Sequence, residues 1–128
     1  MSVTGADFDQ SGSDDLGVAI VSYALPPLVA QIYEGGPVDP ALVTTLTTAD
    51  STVQFEREVG GADVDGDGYP DLIVGFPGRA TPSEDGGVLH GAVAVYRGGP
   101  HGLASTPSYT LLPPDGTAVA YGASIVRP

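Results

Sequence analysis

Between Gly61 and Gly75 the chain reads Gly-Ala-Asp-Val-Asp-Gly-Asp-Gly-Tyr-Pro-Asp-Leu-Ile-Val-Gly, and this stretch limits the fold more than any other. Asp63, Asp65, Asp67 and Asp71 stand at positions 1, 3, 5 and 9 of a glycine-punctuated loop that runs into an apolar strand. Carboxylates crowded in this way repel one another unless a cation sits among them. A hard divalent ion with about six to eight oxygen ligands, above all Ca²⁺, meets that need. Tyr69 at position 7 would offer its main-chain carbonyl, and Gly68 at position 6 permits the sharp turn. Mg²⁺ is disfavoured, because it keeps its waters and seldom uses all-protein cages. A solvated Asp/Gly turn is the plain alternative. The regular spacing, and its recurrence elsewhere in the chain, speak against it.

For nine positions the loop resembles an EF-hand, and then it departs. An EF-hand closes with a bidentate glutamate at position 12, where this chain has Val74. Flanking helices are also missing from the pattern: Leu72-Ile73-Val74-Gly75-Phe76-Pro77 reads as a short buried strand stopped by proline. A helix–loop–helix unit is therefore excluded.

The same loop recurs in weaker form near the start. Gly5 to Leu16 lies over Gly61 to Leu72 at a constant offset of 56. Asp7, Asp9, Ser11 and Asp15 fall on the four acids, Gly12 falls on Gly68, and Ser13 takes the carbonyl position of Tyr69. Ser11 offers a hydroxyl in place of a charge, so this loop is the weaker of two Ca²⁺ sites. Asp14 falls between ligand positions and reads as a turn residue. Further on, Ile32-Tyr33-Glu34-Gly35-Gly36-Pro37 matches Val95-Tyr96-Arg97-Gly98-Gly99-Pro100 at offset 63, and Leu46 and Phe55 match Leu112 and Tyr121 at offset 66. Offsets that grow only at loops mark a structural repeat. The pattern predicts strands over 15–21, 28–33, 42–47, 52–57, 71–76, 91–97, 108–112 and 119–126.

Composition agrees with an all-β domain. Nineteen glycines and 12 prolines punctuate the 128 residues, and there is no long 3.6-residue periodicity. The 41% of hydrophobic residues suffices for a core. Net charge is −12, from 16 acids against four arginines and no lysine, which argues against nucleic-acid phosphates and anionic membrane surfaces as partners. Seven of the acids stand at proposed ligand positions, so bound metal would offset part of the imbalance. The absence of cysteine excludes disulfides and thiolate metal sites. Met1 to Gln10 lacks the basic start of a signal peptide, and the apolar run from Leu16 to Ile32 is too short for a membrane span and is broken by Pro26-Pro27.

The repeat as a whole resembles the FG-GAP repeat. The residues that carry the likeness are Asp63 to Asp71, Gly75-Phe76-Pro77, Gly91 to Tyr96, Gly102-Leu103 and Tyr121-Gly122-Ala123-Ser124-Ile125. Phe55-Glu56 stands where the earlier repeat would carry its Phe-Gly, and Ala19-Ile20-Val21 has lost the Gly-Ala-Pro-like element. The resemblance implies a β-propeller of the integrin α-subunit type, built from four-stranded blades. Each metal loop would join the innermost strand to the second, with a structural Ca²⁺ ion clamping that connection. It also implies an extracellular or cell-surface setting and a role in binding or adhesion to a protein or carbohydrate.

Divided accordingly, residues 1–57 form a first blade lacking its innermost strand, and 58–118 a second whose inner strand comes from about 52–57. Residues 119–128 then supply the first strand of a following blade. Head-to-tail strand exchange between copies, giving rings or fibres, follows as an expectation. The alternative is that the chain is part of a larger propeller, such as the non-catalytic segment of a secreted enzyme. No enzymatic activity is expected: His90 and His101 have no carboxylate or hydroxyl at a telling spacing, and Ser124 does not sit in a nucleophile elbow. Tyr23, Tyr33, Tyr96 and Tyr109 suit packing between blades better than a ligand groove.

Overall fold

The computed structural model describes residues 2–19, 28–36, 41–47, 58–76 and 91–112. Among them are eight strands and no helix: β1 (Val3–Ala6), β2 (Asp15–Ala19), β3 (Leu28–Glu34), β4 (Ala41–Thr47), β5 (Glu58–Ala62), β6 (Asp71–Phe76), β7 (Ala92–Tyr96) and β8 (Tyr109–Leu111). They form two antiparallel four-stranded meanders, β1-β2-β3-β4 and β5-β6-β7-β8. No helix of the structure is long and apolar enough to cross a membrane. Two such sheets are the form expected of propeller blades, and they do not close into a ring.

Six of the eight strands stand where the pattern put them, whereas 52–57 and 119–126 lie outside the described residues. The two unforeseen strands correct the proposed division of the chain. The first blade does not lack its innermost strand: Val3–Ala6 pairs with β2, Val3 opposite Val18 and Ala6 opposite Asp15. In the second sheet the strand before the acidic loop is Glu58–Ala62, directly against the first ligand position. Both strands are short and carry glycine, so intrinsic preference gives little sign of them. Pairing along the neighbouring strand is what makes them extended. With β1 in place, the first sheet has four strands of its own. Pairing also refines the repeat, because Leu46 stands opposite Ala30 and Leu111 opposite Val93, which makes Leu111 rather than Leu112 the counterpart of Leu46.

The sheets stack face to face. Alternation along β2 leaves Asp15, Gly17 and Ala19 buried and Leu16 exposed, so one face of the first sheet turns inward. That face carries Ala19, Ala30, Ile32 and Leu46. From the second sheet come Val59, Leu72, Val74, Phe76, Ala94 and Tyr96, and Phe8 joins them from the first acidic loop. Gly17 lets the layers approach: a Cβ there would stand 3.4 Å from Leu72 Cδ1. β1 and β5 lie side by side where the sheets meet. Val59 N–H donates to Ser2 Oγ (3.1 Å), which in turn donates to Glu58 Oε2 (3.2 Å). At the far side Tyr96 Oη donates to the Thr47 carbonyl (2.9 Å), and Thr47 N–H donates to the Ser105 carbonyl (3.0 Å).

Tyr96 thus packs between the sheets, as its strand position suggests. Removing one such hydrogen bond costs about 0.5–1.5 kcal/mol net. Tyr96→Phe is therefore expected to lower stability to urea by about that amount. Tyr33→Phe, at the equivalent position of the first sheet, where the hydroxyl bonds only within its own strand to Gln31 among the described residues, should change the unfolding midpoint much less. Equal losses in the two variants would show that the bond to Thr47 does not join the sheets.

Candidate metal centre

Each acidic loop turns from the first strand of its sheet into the second, and carboxylates organise its main chain. In the second loop, Asp63 Oδ1 accepts from Gly66 N–H (2.8 Å) and Asp67 N–H (3.1 Å), while Oδ2 accepts from Gly68 N–H (2.9 Å). Asp65 Oδ1 accepts from Asp67 N–H at 3.2 Å, and Asp67 Oδ1 from Tyr69 N–H at 2.9 Å. The first loop repeats the scheme: Asp7 accepts from Ser11 N–H (2.8 Å) and Gly12 N–H (2.9 Å), and Asp9 from Ser11 N–H (3.0 Å). Backbone angles repeat as well. Gly12 and Gly68 have φ of 97° and 94°, and Gln10 adopts 57° where the second loop has Gly66 at 76°. Gln10 accepts a backbone conformation that favours glycine, and its side-chain amide donates to the Gly68 carbonyl, tying the two loops together.

The last acid of each loop is the buried one. Asp71 is 0% exposed and Asp15 4%. Asp71 Oδ2 accepts from Val64 N–H (2.9 Å) and Oδ1 from Gly98 N–H (2.9 Å). Asp15 does the same with Phe8 N–H (3.1 Å) and Gly35 N–H (3.0 Å). One carboxylate therefore joins the loop to the chain leaving the third strand. Gly35 and Gly98 permit this for a steric reason: a Cβ would fall 1.8 Å from the Asp14 carbonyl oxygen in one repeat and 2.0 Å from that of Pro70 in the other. The glycine pairs were visible in the repeat, but their bond to the acids was not. A buried carboxylate needs donors, and the matched Gly-Gly after each third strand was the available sign of them.

Asp63, Asp65 and Asp71 bring carboxylate oxygens within 4.8 Å of one another, and so do Asp7, Asp9 and Asp15. Ligands held about 2.3–2.6 Å from one centre stand at most about 5 Å apart, so both triads fit a single Ca²⁺-sized ion. Asp67 lies outside its triad and caps Tyr69 N–H instead. Ser11, Ser13 and Tyr69 keep their places in the loops. Burial pushes the Asp15 carboxyl above its ordinary value; the Gly35 N–H pulls it back, the Asp9 charge raises it, the Phe8 N–H lowers it, and the Asp7 charge raises it again. Its folded value exceeds its unfolded one, so ionising it removes stability as pH climbs from the ordinary carboxylate value through the raised one. A cation within the triad would oppose that shift.

The loops differ in their surroundings. Asp65 Oδ2 lies 3.3 Å from Arg97 Nε, an ion pair absent from the sequence reading. The equivalent of Arg97 in the first repeat is Glu34. Asp63 and Asp65 are exposed, whereas Asp7 and Asp9 are half-buried. Beside the first loop lies a cavity of about 190 Å³, lined by Phe8, Ile32 and Leu103 with Asp9, Asp15 and His101. His90, Ser124 and Tyr23 lie outside the described residues.

Residues 57–96 match the model of the FG-GAP repeat. The match spans β5, the second acidic loop, β6 and β7. The first loop and β1 to β3 carry five equivalent hydrogen bonds, from Ser11 and Gly12 to Asp7, from Ser11 to Asp9, and from Phe8 and Gly35 to Asp15, which extends the likeness beyond the matched residues.

The glycine requirement is open to test. Gly98→Ala is expected to lower stability by about 1–3 kcal/mol or more, as overpacking against fixed backbone does. Gly99→Ala is the control, because its Cβ would come no closer than 3.9 Å to another atom. Similar melting temperatures for the two variants would refute a steric role for Gly98.

Proposed function

We propose that this chain is a calcium-binding β-propeller module that works by binding rather than turnover, with one structural Ca²⁺ ion in each acidic loop. The observation that carries this reading is the pair of all-oxygen triads, Asp63, Asp65 and Asp71 with Asp7, Asp9 and Asp15. Each is preformed by main-chain donors and set at the same turn of its sheet. The donor set is hard and anionic, which favours Ca²⁺ over the transition metals that imidazole or thiolate would attract. Asp67, Ser11 and the carbonyls of Tyr69 and Ser13 are the proposed remaining ligands. The ion would neutralise carboxylates that otherwise repel one another and hold the first two strands of each sheet in register.

FG-GAP repeats typically occur in extracellular proteins, which supports an extracellular or cell-surface role in adhesion to a protein or carbohydrate. Millimolar calcium outside cells suits such loops. With dissociation constants of about 10⁻⁴ to 10⁻³ M, each site contributes about 0.4–1.4 kcal/mol at millimolar ion. That amount stiffens a blade already built from packed strands.

Calcium added to chelated protein is expected to raise the melting temperature and to register as bound metal by elemental analysis. Asp65→Ala should remove more of that gain than Asp9→Ala, because the second loop carries four carboxylates and the first three and a hydroxyl. Asp14→Ala, between ligand positions, should leave the gain intact. An unchanged melt together with no bound calcium would sink this reading.

A further inference from the structure

The second acidic loop already holds a cation of the chain's own. Arg97 Nε lies 3.3 Å from Asp65 Oδ2, and Asp65 is one of the three acids brought together there. Four arginines stand against 16 acids in the sequence, and Arg97 is the one found among the described residues. It follows directly on β7, and its neighbour Gly98 donates to Asp71 Oδ1 (2.9 Å). Two consecutive residues at the end of the third strand thus address two acids of one triad. One does so through its side chain, the other through its main chain.

The remaining partners of these acids are N–H groups, which donate to a carboxylate without adding a full charge. Asp65 Oδ1 accepts from Asp67 N–H, and Asp63 accepts from Gly66, Asp67 and Gly68. Among the described residues, Arg97 therefore supplies the one full positive charge placed against this triad. The first loop differs at this point. Its Asp9 accepts from Ser11 N–H in the same way, but the equivalent of Arg97, at offset 63, is the exposed Glu34. An acid stands in one repeat where a base stands in the other. The Arg97 side chain is 54% exposed, so its guanidinium can turn into water without uncovering buried surface.

We infer that Arg97 is a resident counter-ion of the second loop, which a divalent cation must displace from Asp65 in order to bind. Without metal, Arg97 offsets part of the repulsion among the acids and keeps the loop in its hydrogen-bonded shape. With metal, it raises the calcium concentration at which the loop fills. The displacement rests on the calcium reading, whereas the counter-ion role without metal does not. A dication offers two charges to all three carboxylates, and the guanidinium offers one charge to Asp65, so the ion prevails once it is concentrated enough. The coupling is reciprocal: Arg97 weakens the ion's hold by the same factor as the ion weakens the pair. Arg97 is thus a positioning residue that sets the threshold of this loop and leaves the first loop untouched.

Calcium titration followed by amide NMR reads each loop separately, because Gly68 and Gly12 N–H each donate to the first acid of their own loop. In Arg97→Gln, the Gly68 signal should report an affinity about two- to fivefold tighter than in the parent, the size of an exposed ion pair. Gly12 should report no change. Arg97→Lys keeps the charge and should stay near the parent, whereas Arg97→Glu should bind calcium more tightly than Arg97→Gln. In chelator, hydrogen exchange at Gly66, Asp67 and Gly68 should be faster in Arg97→Gln than in the parent, with Ser11 and Gly12 unchanged. Equal or weaker affinity at Gly68 in Arg97→Gln overturns the displacement and leaves the calcium reading standing. Weaker binding there would mean that Arg97 merely props the loop. No response at Gly68 in parent or variant also overturns the displacement, and none at Gly12 as well sinks the calcium reading with it. Unchanged exchange in chelator overturns the counter-ion role itself.

Discussion

The buried carboxylate at the end of each acidic loop is the contact on which the rest depends. Asp71 and Asp15 each hold two main-chain N–H groups, one from the loop and one from the glycine after the third strand. A carboxylate buried with fewer donors would carry a large desolvation penalty. With both donors it fixes where the loop closes and where the third strand lets go. The upstream acids then face one another because the loop has no other path. The carboxylate triad is thus a by-product of how the strand connection is braced. That explains why the same geometry is found in the first loop, where Ser11 stands in the place of Asp67.

Between the loops, the sheets are held by ordinary apolar burial around a few polar anchors. The glycine at position 17 brings the layers close, and Tyr96 and Ser2 bond across the seam at its two sides. Burying a leucine or valine side chain contributes about 1.5–3 kcal/mol, so the cluster around Leu72, Val74 and Leu46 outweighs any single polar bridge. The metal loops sit at the edge of this core and contribute less than it does. A module built in this way is ordered by packing, and the proposed ion would only tune it.

Much of this was legible in the residues, because carboxylate spacing and strand alternation are local signals. Asp7 to Asp15 and Asp63 to Asp71 announced two equivalent loops, and the 56-residue offset carries through to the individual hydrogen bonds. Six strands stand where alternation or apolar runs placed them. Val3–Ala6 and Glu58–Ala62 did not announce themselves, since short segments with glycine become strands only through their partner. The two sides of β6 were also hidden: Leu72, Ile73 and Val74 are all apolar, so no alternation distinguishes them. Arg97 beside Asp65 is a contact between strand end and loop that linear spacing does not encode.

The close approach at Gly35 and Gly98 bears on how such repeats age. Ser11 stands where the second loop has Asp67, and the first loop keeps its turn and its strands. A methyl group at either glycine would meet a carbonyl oxygen at about half the distance that ordinary packing tolerates. Drift can therefore erase the ligands of a blade long before it touches the Gly-Gly that follows its third strand. In a degenerate copy with no acids left, that dipeptide and the tyrosine two residues before it would be the surviving fingerprint of common descent.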